Sequence, residues 1–302
     1  MMMAFWPAHF PSGKIDWGAV WDQNSTNIKV PTGLESLNPD GIGSIIYFTD
    51  AAPEGLTNAL AHFPGATKLG LFAAPTPFIT GRPVTLFQGD KIYGTGAVGL
   101  ALKHPRPETQ VTFHGMEPLC PPMLVSKAEG NLVISLDNKN PTQLLLSAIR
   151  AAGVDLRSET VGLFEDSNEF ALATLRDEKP HQMFSIMSGD PSRGTIALRS
   201  MSAPPVGSWV QFFHSPNSET SSLEGKQGPK HKRLQFVTSS PTGNTQFAGS
   251  TNDGVWVLED EFTVASEEGF ILSRSEEGKS EAPWTSTIPG SVGALSWTLQ
   301  DA

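Results

Sequence analysis

The sequence is poor in cysteine, since Cys120 is the single cysteine among 302 residues. An intrachain disulfide needs two cysteines, and a zinc site held by thiolates needs more than one, so neither can form within this chain. A chain of this length that uses no disulfide is typical of a reducing compartment. We therefore expect an intracellular protein located in the cytoplasm, with the nucleus as the alternative.

The sequence also lacks a long apolar run and an excess of basic residues. No segment approaches the roughly 20 apolar residues that span a bilayer. Lys and Arg number 21 against 31 Asp and Glu, which gives a formal net charge of −10 and disfavours binding to phosphate-rich partners. One basic cluster, residues 228–233, is a nuclear-import signal, an anion-binding patch or a solvated loop. We expect neither a nucleic-acid partner nor a membrane partner.

The sequence patterns of common catalytic and metal sites are missing as well. There is no G-x-S-x-G nucleophile elbow, and the seven histidines form no H-x-x-x-H pair. A G-x-G-x-x-G motif is present at residues 94–99, but alternating residues and then Pro105 follow it. We expect a strand there, whereas a dinucleotide site needs a helix. The sequence therefore predicts no catalytic residue, no metal, no cofactor and no enzyme activity.

Residues 124–153 give the clearest local pattern. Two strand-like runs, at residues 124–127 and 132–136, flank a Gly-Asn pair that is typical of a hairpin turn. A helix follows, with Asn140 as its N-cap, a proline at the first helical position and Gly153 as its stop. We predict a strand–strand–helix unit near the middle of the chain.

Short strands joined by turns make up most of the remaining pattern. They are predicted at residues 42–48, 68–72, 84–87, 92–93, 97–102, 194–199, 208–214, 234–238, 255–258, 269–272 and 293–298. Helices are predicted at residues 50–63 and 167–176, and polar loops at residues 215–233 and 273–286. Because strands outnumber helices and follow one another directly, we predict an α+β fold of mostly antiparallel sheets with a few helices packed on them, in two joined halves.

Five groups of segments, taken in order, carry a resemblance to a known family. They are residues 87–102 (FQGDKIYGTGAVGLAL); residues 114–119, 125–131, 136–137 and 141 around the middle unit; residues 183–186 and 194–198; residues 205–214 (PVGSWVQFFH); and residues 269–271 (GFI). Together they resemble the FIST domain, the family of F-box and intracellular signal transduction proteins, over residues 41–298. The resemblance implies a FIST-like N-terminal domain at residues 1–122, truncated at its start, and a FIST-like C-terminal domain at residues 123–302.

The sequence also departs from the family pattern. The Gly-Glu pair that usually follows the Gly-Phe motif is replaced by Arg274 and Ser275. The strand at residues 236–239 lacks the cysteine often found there, and the loop at residues 215–233 stands where a helix is usual. These departures put any pocket built from those parts in doubt.

The resemblance implies a binding module, because FIST domains sense small ligands such as amino acids and accompany F-boxes in eukaryotic ubiquitin-ligase receptors. Our main hypothesis is a non-enzymatic sensing or recognition module that binds a small ligand, such as an amino acid, in a cleft between the two halves. His114, Lys127 and Glu129 come from the junction and are the candidate ligand-binding residues. The alternative is a protein-interaction subunit or substrate receptor of a ubiquitin ligase that lacks a visible F-box.

Overall fold

The computed structural model describes residues 2–6, 34–103, 105–154, 170–190, 194–216, 231–239, 260–276 and 278–298. Within these residues 53% lie in strands and 12% in helices, and only three α-helices occur. The predicted α+β class is therefore wrong, because the described part of the chain is mostly β. No helix in that part has both the length and the apolar character needed to cross a membrane.

The elements are numbered in chain order. The helices are α1 (Glu54–Leu60), α2 (Pro77–Thr80) and α3 (Pro141–Ala151). The strands are β1 (Met2–Trp6), β2 (Ile42–Thr49), β3 (Thr67–Phe72), β4 (Leu86–Gln88), β5 (Lys91–Tyr93), β6 (Ala97–Lys103), β7 (Glu108–Phe113), β8 (Glu117–Pro118), β9 (Met123–Glu129), β10 (Leu132–Leu136), β11 (Phe170–Arg176), β12 (Lys179–Asp190), β13 (Thr195–Leu198), β14 (Trp209–His214), β15 (His231–Thr238), β16 (Glu261–Ser266), β17 (Phe270–Ser273), β18 (Ser275–Glu276), β19 (Lys279–Ser280), β20 (Trp284–Ser286) and β21 (Ser291–Thr298).

The fold class was mispredicted mainly where a short apolar run was assigned to the wrong element. The helix predicted at residues 167–176 is strand β11 over its described residues, and its first five side chains are all buried. Periodicity does not separate a strand buried on both faces from a short buried helix, so the apolar spacing was misleading. Strands β7 and β16 were not predicted, and β12 was expected only at residues 183–186, from the family resemblance. The loop predicted at residues 273–286 contains β18, β19 and β20.

Some predictions fall partly or wholly outside the described residues. The strand predicted at residues 255–258 and residues 217–230 of the predicted polar loop are among them. The last residues of that predicted loop, 231–233, belong to strand β15.

Helix α3 forms as predicted because its start signal is local. The Asn140 side chain accepts a hydrogen bond from the backbone N–H of Gln143 at 3.0 Å, and Pro141 occupies the first turn, where no N–H is needed. Its buried face includes Leu145 and Ile149, four residues apart. The helix lies against β10 and β13, and the Thr142 hydroxyl donates to the carbonyl oxygen of Thr195 at 2.9 Å.

Replacing Asn140 with alanine is expected to lower the free energy of unfolding by about 1 kcal/mol, because the N-terminal turn of α3 loses its side-chain acceptor. Urea unfolding followed by circular dichroism measures the change. Asn58→Ala is the matched control, since Asn58 is exposed inside α1 and alanine is the better helix former there. An equal loss of stability in both variants would contradict the capping role.

The chain divides into two compact units. The first unit comprises Met1–Thr109 and Ile271–Pro283, and the second comprises Gln110–Phe270 and Trp284–Ala302. The domain boundary that we drew at residue 122 from the resemblance stays a prediction.

The first unit is built on a sheet whose strands run in the order β1-β6-β2-β3-β17. Strands β2 and β3 are parallel and are connected through helix α1, whereas β6 is antiparallel to β2. Parallel neighbours need a crossover connection, and α1 provides it. The core of this unit is a cluster of buried side chains from the sheet, from α1 and from the segment between α1 and β3. Its members include Ile45, Tyr47, Leu56, Leu60, Phe63 and Ile271.

The second unit contains a sheet in the order β11-β12-β13-β10-β9-β14-β8. Because β14 also pairs with β11, six of these strands form a closed ring in which each has two neighbours. A second sheet has the order β16-β15-β21-β7, with β15 and β16 parallel. A core cluster of this unit is formed by Ala171, Ala173, Met183, Phe213 and Ile288.

Candidate functional site

A pocket of about 160 Å³ lies within the first unit. It opens on the face of the sheet that α1 covers. Its walls come from β2, from α1, from β3 and from the segment that contains β18 and β19. The lining residues include Tyr47, Leu60, Lys68, Ser280, Glu281 and Pro283. We call it the Lys68 pocket.

Lys68 is the unusual residue of this pocket. It is the second residue of β3, a strand whose six residues are all buried, and it is only 4% exposed. Its ammonium group donates a hydrogen bond to the Ser280 hydroxyl at 2.5 Å. Burial lowers the pKa of Lys68 to about 8, because desolvation disfavours the charged form.

The hairpin of β18 and β19 places Ser280 against Lys68. Ser275 and Ser280 are paired across this hairpin. Both hydroxyls donate to the carbonyl oxygen of Pro64, at 3.0 Å from Ser275 and 3.1 Å from Ser280. The Ser280 hydroxyl thus gives its own proton to Pro64 and accepts from Lys68, so its hydrogen-bonding capacity is well used.

The carboxylate of the pocket is already paired. Glu281 forms an ion pair with Arg274 at 3.1 Å, and the two are joined again by a backbone hydrogen bond. The Ser273 hydroxyl donates to the Glu281 carbonyl oxygen at 2.6 Å, which further fixes the segment. Within the described part of the chain, no ion pair connects Lys68 to a carboxylate.

Tyr47 forms the wall beside Lys68. Its neighbours across the sheet are Gly70 on β3 and Gly99 on β6. A Cβ atom at Gly70 would lie 2.3 Å from carbons of the Tyr47 ring, so only glycine leaves room for the ring to lie over the strand. Burial raises the pKa of the Tyr47 hydroxyl, which is therefore neutral at physiological pH.

Replacing Gly70 with alanine is expected to destabilise the protein by about 2–3 kcal/mol, because the new methyl group displaces the buried Tyr47 ring. Gly55→Ala is the matched control, since a Cβ at Gly55 on α1 meets nothing within 4 Å and alanine favours the helix. Urea unfolding of both variants measures the difference. A Gly70→Ala variant as stable as the wild type would show that the ring moves without resistance.

The three ligand-binding residues predicted from the sequence lie in the second unit. The backbone N–H of His114 donates to Gly290, and its ring Nε2 is 3.1 Å from the Thr112 hydroxyl. Lys127 and Glu129 are exposed on β9, two residues apart and therefore on one face of that strand. No hydrogen bond or ion pair joins His114 to either of them among the residues that the structure describes.

The G-x-G-x-x-G motif has a structural role that fits its predicted strand. Strand β6 begins at Ala97, as expected from the alternation. The backbone N–H of Gly96 donates to the Asp50 carboxylate at 2.7 Å. A Cβ atom at Gly99 would lie 2.6 Å from the carbonyl oxygen of Ile46, so this glycine permits close packing of β6 on β2. The motif is used for packing inside the first unit.

Sequence reasoning missed Lys68, although one signal was present. A lysine inside a short run otherwise made of apolar residues is rare, because lysine is seldom buried without a partner. The sequence predicts a strand at residues 68–72, and Lys68 is its single charged residue. The contact with Ser280, 212 positions later in the chain, leaves no local trace in the sequence.

Comparison with known proteins gives one family match. Residues 45–139 match the FIST N domain. The FIST domain is a family of sensor domains in signal transduction and is not known as a catalytic family. Tyr47 and Lys68 fall inside the matched region, whereas Ser280 and Glu281 fall outside it. No curated protein and no solved structure shows a significant match to the chain.

Proposed function

We propose, with the FIST N domain match over residues 45–139 as the premise, that this protein is a non-enzymatic sensing module. Its ligand is a small molecule such as an amino acid, and the ligand binds in the Lys68 pocket. Binding stabilises one conformation of the module, which passes the signal to a partner.

The observation that carries this proposal is the buried ammonium group of Lys68 facing a pocket. An ion removed from water is costly unless it is paired, and the hydrogen bond to Ser280 is a neutral partner only. A strongly shifted group in a cavity is a common mark of a functional site. The pocket volume of about 160 Å³ is similar to the roughly 150 Å³ cavity that holds a benzene molecule in another protein, so a small ligand fits.

The junction residues His114, Lys127 and Glu129 remain a separate proposal from the sequence. If they bind the ligand, their replacement by alanine weakens binding while Lys68→Met does not. The two sets of variants therefore decide between the two locations.

The experiment is a thermal-shift screen of the full chain with amino acids and other small metabolites, repeated with Lys68→Met. A ligand present at about 100 times its dissociation constant stabilises the folded state by about 2.7 kcal/mol. We expect at least one compound to raise the Tm of the wild type and to have little effect on Lys68→Met. Lys91→Met, which removes an exposed lysine of β5, is the control and responds like the wild type. If no compound raises the Tm, the proposal fails.

A second candidate function is a protein-interaction subunit of a ubiquitin ligase. It is favoured by exposed apolar side chains on the first unit. Phe87 and Ile92 are paired across the β4–β5 hairpin and are 62% and 48% exposed, and Phe78 on α2 is fully exposed. Exposed apolar groups of this size are common in interaction sites. Co-purification of ubiquitin-ligase components with the wild type, and their loss from a Phe78→Ser and Phe87→Ser variant, would support this function.

A further inference from the structure

We infer that the ligand of the Lys68 pocket is a small organic monocarboxylate, held as an anion by the ammonium group of Lys68 with its apolar part against the pocket wall. This inference rests on the proposed function and specifies its ligand class.

The donors of Lys68 match a carboxylate. An ammonium group has three N–H donors, and Ser280 accepts one of them. Ser280 has directed its own hydroxyl proton to Pro64, so it only accepts from the lysine. Two N–H donors of Lys68 remain for the pocket. A carboxylate accepts at both oxygens, and charge-assisted hydrogen bonds of this kind are the strong ones.

The charges around Lys68 favour a simple anion over a zwitterion. The titratable groups that line the pocket beside Lys68 are Tyr47 on β2 and Glu281, and Glu281 is paired with Arg274. The surrounding elements also carry three groups that are exposed and do not line the pocket, namely Glu54 on α1, Glu276 on β18 and Lys279 on β19. Tyr47 is neutral, and the charges of Glu281 and Arg274 cancel, so the pocket carries the single positive charge of Lys68. The ammonium group of an amino acid would have to pair with the Glu281 carboxylate, which is already paired with Arg274. A carboxylate without an ammonium group neutralises the charge of Lys68 and does not compete with Arg274 for Glu281.

Most of the rest of the wall is apolar, and the hydroxyls of Thr57 and Ser273 in it already donate to the carbonyl oxygens of Glu54 and Glu281. Leu60 and Ala61 line the pocket from the end of α1, and Ala282 and Pro283 line it from the segment after β19. These groups contact a short hydrocarbon part well, and burial of each CH₂ contributes about 0.8 kcal/mol. The volume limits that part to roughly the size of a benzene ring.

The test compares matched ligands on the full chain by isothermal titration calorimetry. The ligands are acetate, butanoate and benzoate, each with its neutral amide, and 2-aminobutanoate as the zwitterion. We expect the best carboxylate to bind at least ~10-fold more tightly than its amide, which corresponds to about 1.4 kcal/mol. Butanoate is expected to bind more tightly than 2-aminobutanoate. Lys68→Met is expected to abolish the preference for the carboxylate, and Lys91→Met to retain it.

The pH dependence of carboxylate affinity gives a second readout, which does not depend on the size or shape of the ligand. Because Lys68 must be protonated to bind the anion and its pKa is about 8, carboxylate affinity falls as the pH rises through that value. Binding near that pH takes up a proton, so the measured heat differs between buffers of different ionisation enthalpy. Lys68→Arg keeps its charge over this range, and its carboxylate binding is expected to lose the pH dependence.

The outcomes separate the inference from the proposed function. If every carboxylate binds no more tightly than its amide, or binds with the same affinity on both sides of that pKa, the inference is overturned. The proposed function survives that result when a neutral or zwitterionic compound from the thermal-shift screen binds in a Lys68-dependent way. If no compound of either panel binds, both are overturned.

Discussion

Replacing Gly269 with alanine is expected to destabilise the protein by at least ~3 kcal/mol. Gly269 immediately precedes β17 and has a φ of +88°, a backbone conformation that residues with a side chain adopt with strain. A Cβ atom at this position would also lie 2.0 Å from the carbonyl oxygen of Ser286. Backbone atoms do not rotate away as a flexible side chain does, so the strand carrying Ser286 must shift.

The shift of Ser286 disturbs a buried region of the second unit. Its carbonyl oxygen accepts a hydrogen bond from the Thr238 hydroxyl, and the aromatic ring of Trp284, two residues earlier, contacts Phe270 with ring centroids 6.1 Å apart. Gly269 and Phe270 form the Gly-Phe pair on which the family resemblance partly rests. In the structure, Gly269 allows its backbone to lie close to Ser286, and Phe270 beside it packs on Trp284.

Gly207→Ala is the matched control for this prediction. Gly207 has a φ of +91°, nearly that of Gly269, but a Cβ there would meet nothing within 4 Å. Its replacement therefore measures conformational strain alone, at about 1–2 kcal/mol. Urea unfolding followed by tryptophan fluorescence and by circular dichroism compares the two variants. Equal losses would show that the contact with Ser286 adds nothing, which would contradict the packing argument.

The elements that the sequence predicted well are those whose signals are local. The cap at Asn140 and the stop at Gly153 act within one helical turn, and the hairpin of β9 and β10 is set by the Gly130-Asn131 pair between its strands. Each of these depends on residues at most a few positions apart. Local chemistry was therefore enough to place α3 and the strands before it.

The elements that the sequence did not predict depend on distant partners. Strand β11 is buried because β12 and β14 flank it, and nothing within its own seven residues separates it from a helix. The candidate site joins Lys68 to Ser280 across more than two-thirds of the chain. The segment Ile271–Pro283 returns to the first unit from near the C-terminal end of the sequence. A single sequence carries no signal of such a return, so the Lys68 pocket could not be predicted from it, and the junction residues stay a prediction.

Replacing Lys68 with methionine is expected to stabilise the protein without ligand by up to ~3 kcal/mol at about pH 7. The pKa of Lys68 falls from 10.5 in the unfolded chain to about 8 in the folded one, a difference of 2.5 that corresponds to about 3 kcal/mol of destabilisation by the buried charge. Methionine has a similar volume and no charge to desolvate. Ser280 keeps its hydrogen bond to Pro64, so the variant leaves that hydroxyl with a partner.

The sign of the pH dependence follows from the same shift. Between about pH 8 and pH 10.5 the unfolded chain holds the Lys68 proton and the folded chain has released it, so the free energy of unfolding of the wild type rises with pH in this window. Below about pH 8 both states are protonated and the full destabilisation remains. The advantage of Lys68→Met is therefore expected to be largest near neutral pH and to disappear as the pH approaches 10.5.

Urea unfolding of wild type and variant at several pH values measures this difference. Subtracting the free energy of unfolding of the wild type from that of the variant removes the contribution of the other titrating groups. Lys91→Met is the control, since an exposed lysine changes stability by no more than about 0.5 kcal/mol at any of these pH values. If Lys68→Met is less stable than the wild type at neutral pH, the ammonium group has a stabilising partner in the folded protein and the pocket does not need an anion. If it is more stable there, the wild type keeps a buried charge in the pocket that destabilises the folded state. Such a loss of stability is expected at a position that is kept for ligand binding.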